Sequence, residues 1–357
     1  MAYTTIDDPS EYFITTLYAG NGNDDRSITN DANAGNFKPD WLWLKNRSGT
    51  NSHALVDSTR GSTKVLRSNA TNAEETEANG IQAFETDGFQ IGSGGLVNTD
   101  GNNYVAWQWK ANGGTATATI SESGNNPAAT VQANTTAGFS IITYTGTGSE
   151  GTIAHGLGAT PKFIVAKNRD AGEGWIIDSS ILTGNSNGTL HFNTDAEYTG
   201  GSNQFGTHSS TNITIKTAGN INTDGQKYVA YVFAPIQGYS KMGSFIGNNS
   251  SDGAFVYLGF KPRWIMVKNT TQSHANHSWI IFDSARETNN EIDTFLEADT
   301  NAADVTSGRN EVDFLSNGFK ARASYGDFNG GSGHVFVYMA FAEHPFVSSK
   351  GVPTTAR

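Results

Sequence analysis

Apolar and polar residues alternate along this chain in short runs, each broken by turn-forming residues within about a dozen positions. In Trp41-Leu-Trp-Leu-Lys-Asn46 the two tryptophans sit two apart and so share one face of a strand, as do Trp107 and Trp109. The short runs and their β-branched and aromatic content predict strands of a half-buried sheet. Between them, Asn98-Thr-Asp-Gly101 and Asn222-Thr-Asp-Gly225 predict turns, because Asn, Asp and Gly tolerate positive φ and hydrogen-bond locally. A short helix is expected only within Thr71 to Ala78.

The pattern recurs three times. Phe37-Lys-Pro-Asp-Trp-Leu-Trp-Leu-Lys-Asn-Arg47 returns as Thr160-Pro-Lys-Phe-Ile-Val-Ala-Lys-Asn-Arg169 and as Phe260-Lys-Pro-Arg-Trp-Ile-Met-Val-Lys-Asn-Thr270. Each copy is preceded by an aromatic-Gly segment, at Tyr18, Tyr144 and Phe245. Each is followed by an apolar run closing on Asp57, Asp178 or Asp283 and then Ser. Asn98 to Trp109 matches Asn222 to Phe233, with Asn329 to Phe341 a looser third copy. Gly-Phe turns at Asp87 to Phe89 and Asn317 to Phe319 mark another strand in units one and three, where unit two has Asn212 to Ile215. The expected fold is all-β, three tandem antiparallel β-sandwiches over residues 1–113, 138–236 and 237–346. Residues 114–137 are expected as a linker or edge strand and 347–357 as a tail.

Composition sharpens this. Leucine occurs only 12 times, too seldom for a helical core. A net charge of -11 without a Lys/Arg run argues against a nucleic-acid partner. The absence of an 18-residue apolar run argues against membrane insertion, and the acidic start from Met1 to Phe13 against a secretory signal, so synthesis in a cytosol is expected. Zero cysteine excludes disulfides, thiolate metal sites and cysteine nucleophiles.

Candidate chemistry is sparse. The paired tryptophans suit a core better than sugar platforms. Asp57, Asp178 and Asp283, with Arg60 and Arg286 three residues on in two units, recur too often for catalytic acids and are expected to hold turn amides. The Lys-Asn-Arg that closes the first strand is expected to be amphipathic and to pair with that Asp. Calcium has a weak excuse at Asn23-Asp24-Asp25 and Asn98 to Asn102, but neither loop ends in a bidentate Glu, so no cofactor is expected. His274 and His277 read as surface histidines rather than ligands. Glu287, Glu291, Asp293, Glu297 and Asp299 read as a solvated acidic loop. The exposed contact loops are expected at 20–25 and 98–103, with Asn21, Asn23, Asp24, Asp25, Asn98, Asp100 and Asn102 as contact residues. No nucleotide-binding, hydrolase or metalloprotease motif occurs.

The recurring Tyr-x-Gly-x-Gly, Pro-x-Trp-x-x-x-Lys-Asn-Arg, Asp-Ser-x-Arg-Gly, Asp-Gly-Phe and Asn-x-Asp-Gly-x-x-Tyr-Val-Ala-Trp-x-Trp-Lys pattern resembles an uncharacterised repeat domain of tailed-phage virion proteins, marine ones especially. It fits best from Tyr18 through Lys110, and Phe341 to Pro353 is similar to the usual end of such proteins. The resemblance implies concanavalin A-like jelly rolls and no catalytic residues. It also implies a non-enzymatic virion protein of the tail or outer surface, used as a tail-fibre or receptor-binding component. Its partners would be other virion proteins and a host cell-surface glycan or protein, and the fibre role suggests a homotrimer. The alternatives are a capsid decoration or head-fibre protein, and a carbohydrate-active virion enzyme.

Overall fold

The computed structural model describes residues 3–30, 37–178, 188–200, 204–273, 277–306, 308 and 311–354. The chain is all-β, and its strands pair antiparallel. One four-strand arrangement appears three times, once in each sequence repeat. In the first unit Phe13–Ala19 pairs with Asn103–Trp109, which pairs with Trp41–Asn46, which pairs with Ala54–Asp57. The second unit repeats this order with Phe139–Thr145, Lys227–Phe233, Phe163–Asn168 and Ile176–Asp178. The third uses Ser240–Ile246, Val335–Pro345, Phe260–Asn269 and Ile280–Asp283. A smaller sheet covers each, built on the pairs Arg26–Ile28 with Gly88–Ile91, Gly151–Ala154 with Asn212–Ile215, and Phe255–Tyr257 with Gly318–Ala321.

The central strands are buried on both faces rather than half-buried. Leu42 and Leu44 pack into the first unit's own sandwich with Ile28, Phe89 and Ile91. Trp41 and Trp43, on the opposite face, join a core shared by all three units. Ile164 and Ala166 against Phe163 and Val165, and Ile265 and Val267 against Trp264 and Met266, divide in the same way. Period-two alternation therefore sorts two kinds of apolar surface here, not apolar from polar. The equivalent residues Trp109, Phe233 and Phe341 converge in this shared core, Phe341 lying 5.6 Å from Trp109 and 5.9 Å from Phe233 between ring centroids.

The units meet head to tail around that centre. Trp41 of unit one stacks on Tyr231 of unit two at 4.3 Å, and Trp264 of unit three lies 6.2 Å from Trp107 of unit one. Each of the three seams carries one equivalent backbone hydrogen bond: Glu74 N–H to Arg169 O (2.8 Å), Tyr198 N–H to Thr270 O (3.0 Å) and Asp304 N–H to Arg47 O (2.9 Å). The result is a closed pseudo-threefold ring within one chain. One local expectation needs correction. Residues 71–78 contain the short strand Glu75–Thr76 and no helix, because Glu74 and Glu75 are drawn to Arg60, Arg169 and Arg67. The stretch between units one and two contributes the strands Ala118–Ile120 and Ala129–Asn134, which extend the second unit's sheet past Phe139–Thr145.

Candidate functional site

The two expected contact loops come together at one tip of the first unit, joined by Gly20 N–H to Asn102 O (2.7 Å) and Gly22 N–H to Asn98 O (3.0 Å). Asn21, Asn23, Asp24, Asp25 and Asp100 are exposed there and Asn102 is half-buried. Asn21 Oδ1 accepts from the Asn23 amide (3.0 Å), Asp24 accepts from Gln82 Nε2 (2.9 Å), and Asp25 holds a φ of 54°. Asn98 is not a contact residue. It is fully buried, accepting from the Asn21 amide (2.9 Å) and donating to the carbonyls of Asn23 (2.7 Å) and Gly92 (3.0 Å). Asn222 and Asn329 repeat this staple, accepting from the amides of Thr147 (2.9 Å) and Asn248 (3.1 Å). Among the described residues no three His, Asp or Glu side chains converge as a metal site would require.

Asp57, Asp283 and the Lys-Asn-Arg positions belong to the fold, and Asp178 lies 3.3 Å from His208 Nε2. Asp57 accepts from the Thr59 and Arg60 amides (3.0 and 2.8 Å), and Asp283 from those of Ala285 and Arg286 (3.1 and 2.9 Å). Each also anchors an aromatic of a neighbouring unit, Tyr231 Oη to Asp57 (2.7 Å) and Trp107 Nε1 to Asp283 (3.1 Å). Burial raises the Asp283 carboxyl, but the Arg286 charge and hydrogen bonds outweigh it and hold the pKa below the usual value. The lysines do not pair with these aspartates. Lys45, Lys167 and Lys268 are fully buried and donate to backbone carbonyls, Lys45 to Asn46 O (2.6 Å) and Gly49 O (3.0 Å). Arg47 and Arg169 instead reach across seams to Asp304 (2.6 Å) and Glu74 (2.8 Å). At the remaining seam Thr270 and Tyr198 occupy the corresponding positions, joined through the backbone bond.

Two further readings change. His277 is buried, with Nδ1 3.0 Å from Gln272 O, and His274 lies outside the described residues. The acidic stretch is half-buried and bonded rather than solvated: Glu287 accepts from the Asp293 and Thr294 amides (3.0 and 2.9 Å), and Glu291 pairs with Arg322 (2.9 Å).

Sequence reasoning missed a cleft of about 330 Å³ on the third unit, lined by Tyr3, Gln237, Ser240, Lys241, Tyr257 and Gly259 among others. The strand Phe255–Tyr257 turns two aromatic rings outward, 48% and 49% exposed. Lys241 Nζ donates to Tyr257 O (2.6 Å) and lies 5.4 Å from the Tyr257 ring centroid, and burial pushes its pKa down. Tyr3 closes one wall, donating to Gly259 O (2.8 Å) with its hydroxyl 3.4 Å from that of Tyr257. Burial first, then the Tyr257 hydroxyl, raises its pKa. Gly259 is needed here: its φ is +84°, and a Cβ would stand 2.6 Å from the Tyr3 hydroxyl. The signal was legible in part, since Arg26-Ser-Ile28 and Gly151-Thr-Ile-Ala154, the sister strands, carry no aromatic residue.

Buried repeat signatures, a shared aromatic core, and exposed loops and surface clefts define a ring-shaped β-sandwich protein. The chain belongs to a family described as a domain of unknown function, DUF7483, which matches residues 8–345 and so spans all three repeats. No curated protein matches the chain.

Proposed function

We propose that the chain is a non-enzymatic structural protein of a tailed-phage virion, carried as a tail-fibre or receptor-binding appendage, and that it attaches to a glycan of the host surface. The observation behind this reading is the third-unit cleft. The Tyr257 ring offers an apolar platform for the C–H face of a pyranose, while Lys241 and the exposed Gln237 amide supply donors for its hydroxyl or carboxylate groups. One shallow cleft gives modest affinity, so adhesion draws on many copies per particle. The likeness to phage repeat domains supplies the virion setting.

The test is binding of the purified chain to host cells and to their isolated surface polysaccharide. Tyr257→Ala should weaken binding by about tenfold, roughly 1.4 kcal/mol, with an unchanged unfolding midpoint. Undiminished binding by the variant would remove the cleft from the reading, and a wild-type chain that binds no host polysaccharide would remove the attachment role. A capsid decoration role is favoured by one observation, the pseudo-threefold ring, whose shape suits a threefold position on a shell. Immunogold label over the head rather than the tail would select it.

A further inference from the structure

The three seams are latched by one equivalent side chain each, and one of the three differs in kind. Trp175 Nε1 donates to Arg67 O between units two and one (2.8 Å), and Trp279 Nε1 donates to His191 O between units three and two (2.8 Å). At the seam between units one and three the position is held by His53, with Nε2 2.9 Å from Glu297 O. The accepting residues correspond, since Arg67, His191 and Glu297 each follow a leucine of the shared core, Leu66, Leu190 and Leu296. An imidazole therefore replaces an indole where the ring closes. The same seam is the one that no direct chain connection between successive units spans.

The protonation state of His53 follows from its partners. Its Nδ1 lies 2.8 Å from Trp43 Nε1, which can only donate, so Nδ1 accepts and Nε2 carries the hydrogen given to Glu297 O. A second proton on Nδ1 would face the indole N–H inside a fully buried site. The charged groups around it do not invite that proton. Burial, then Lys45 on the tryptophan strand, and at longer reach Arg286 of unit three, push its pKa down to about 3, against hydrogen bonds to the Glu297 and Thr300 backbone. The Glu297 carboxyl is occupied by Thr300 Oγ1 (2.8 Å), and burial raises its pKa; Asp304 is held between Arg47 and Arg286.

We propose that His53 is an acid-sensitive latch, so that the seam between units one and three opens preferentially as the medium acidifies while the two indole-latched seams stay closed. With the seam parted, His53 regains an ordinary value near 6.5 and binds a proton that the closed ring refuses. A depressed pKa in the closed form makes its stability complete above about pH 6.5 and draws it down as pH falls. Between pH 7 and pH 5 the open-to-closed ratio should rise roughly 25-fold.

The cross-seam amides read this directly. Hydrogen exchange of the full chain, corrected for the intrinsic pH dependence, should show Asp304 losing protection by that factor between pH 7 and pH 5 while Glu74 and Tyr198 do not. His53→Gln, whose neutral amide can accept from Trp43 and donate to Glu297 O, should abolish the selective loss, and His53→Trp, the sister residue, serves if Gln does not fold. His155→Gln and His191→Gln should leave it in place. Equal loss at all three amides, or an Asp304 response that survives both His53 variants, would overturn the latch.

Discussion

The Asn98 side chain satisfies three backbone groups in a place water does not reach. Asp100, two residues away, is exposed on the same turn. Asn98→Ala strands the Asn21 amide and the Asn23 and Gly92 carbonyls, and at about 1 kcal/mol per bond the expected loss is about 2 to 4 kcal/mol. Asp100→Ala should stay within about 0.5 kcal/mol. Urea unfolding midpoints of the two variants check the contrast, and an Asn98→Ala protein as stable as the parent would show that the tip, not the amide, holds the loop. Turn chemistry in Asn-Thr-Asp-Gly was readable from sequence. Which of its side chains points inward was not, because that depends on the neighbouring Gly20 to Asn23 segment arriving alongside.

At the level of elements, each central strand ends its shared-core face in a lysine, continuing the spacing of Trp41, Trp43 and Lys45. Burial pushes Lys45, Lys167 and Lys268 down to about 8. An unfolded chain keeps these protons up to about pH 10.4, so stability should increase as pH rises from about 8 towards 10. Burial also raises Tyr18, Tyr144, Tyr231 and Tyr239 well above 10, so the unfolded chain ionises first beyond pH 10 and stability should fall there. Urea midpoints at pH 7, 8.5, 9.5 and 11 should therefore peak near pH 9.5, and a steady decline from pH 7 would refute the buried-lysine account. Alternation identified these strands in the sequence because the period is local. It could not say what covers each face, since Leu42 and Trp43 are equally apolar and only the docking of the other units separates them. The Ala- and Glu-rich text of 71–78 misled for a related reason: arginines 8 to 95 residues distant decide its conformation.

For the whole molecule, head-to-tail contacts that close after three units are the interface logic of a cyclic trimer, here carried by one covalent chain. The surfaces a homotrimer of single units would use are already occupied: Trp41 by Tyr231, Trp264 by Trp107, Arg47 by Asp304 and Arg169 by Glu74. Near the seam where the ring closes, the N-terminal segment is tied to unit three and the C-terminal tail, by Thr4 Oγ1 to Gln237 O (2.8 Å) and the Ser349 amide to Asp7 (2.6 Å). A ring closed in this way has no concentration-dependent assembly step, so the homotrimer suggested by the sequence would need a second, separate set of surfaces. Sedimentation equilibrium from about 1 to 100 μM should return the mass of one 38.1 kDa chain throughout. A mass three times larger that dissociates on dilution would mean that the exposed tips, rather than the aromatic core, carry a further threefold contact, and the outward-facing Phe255 and Ile246 would then be the first side chains to replace.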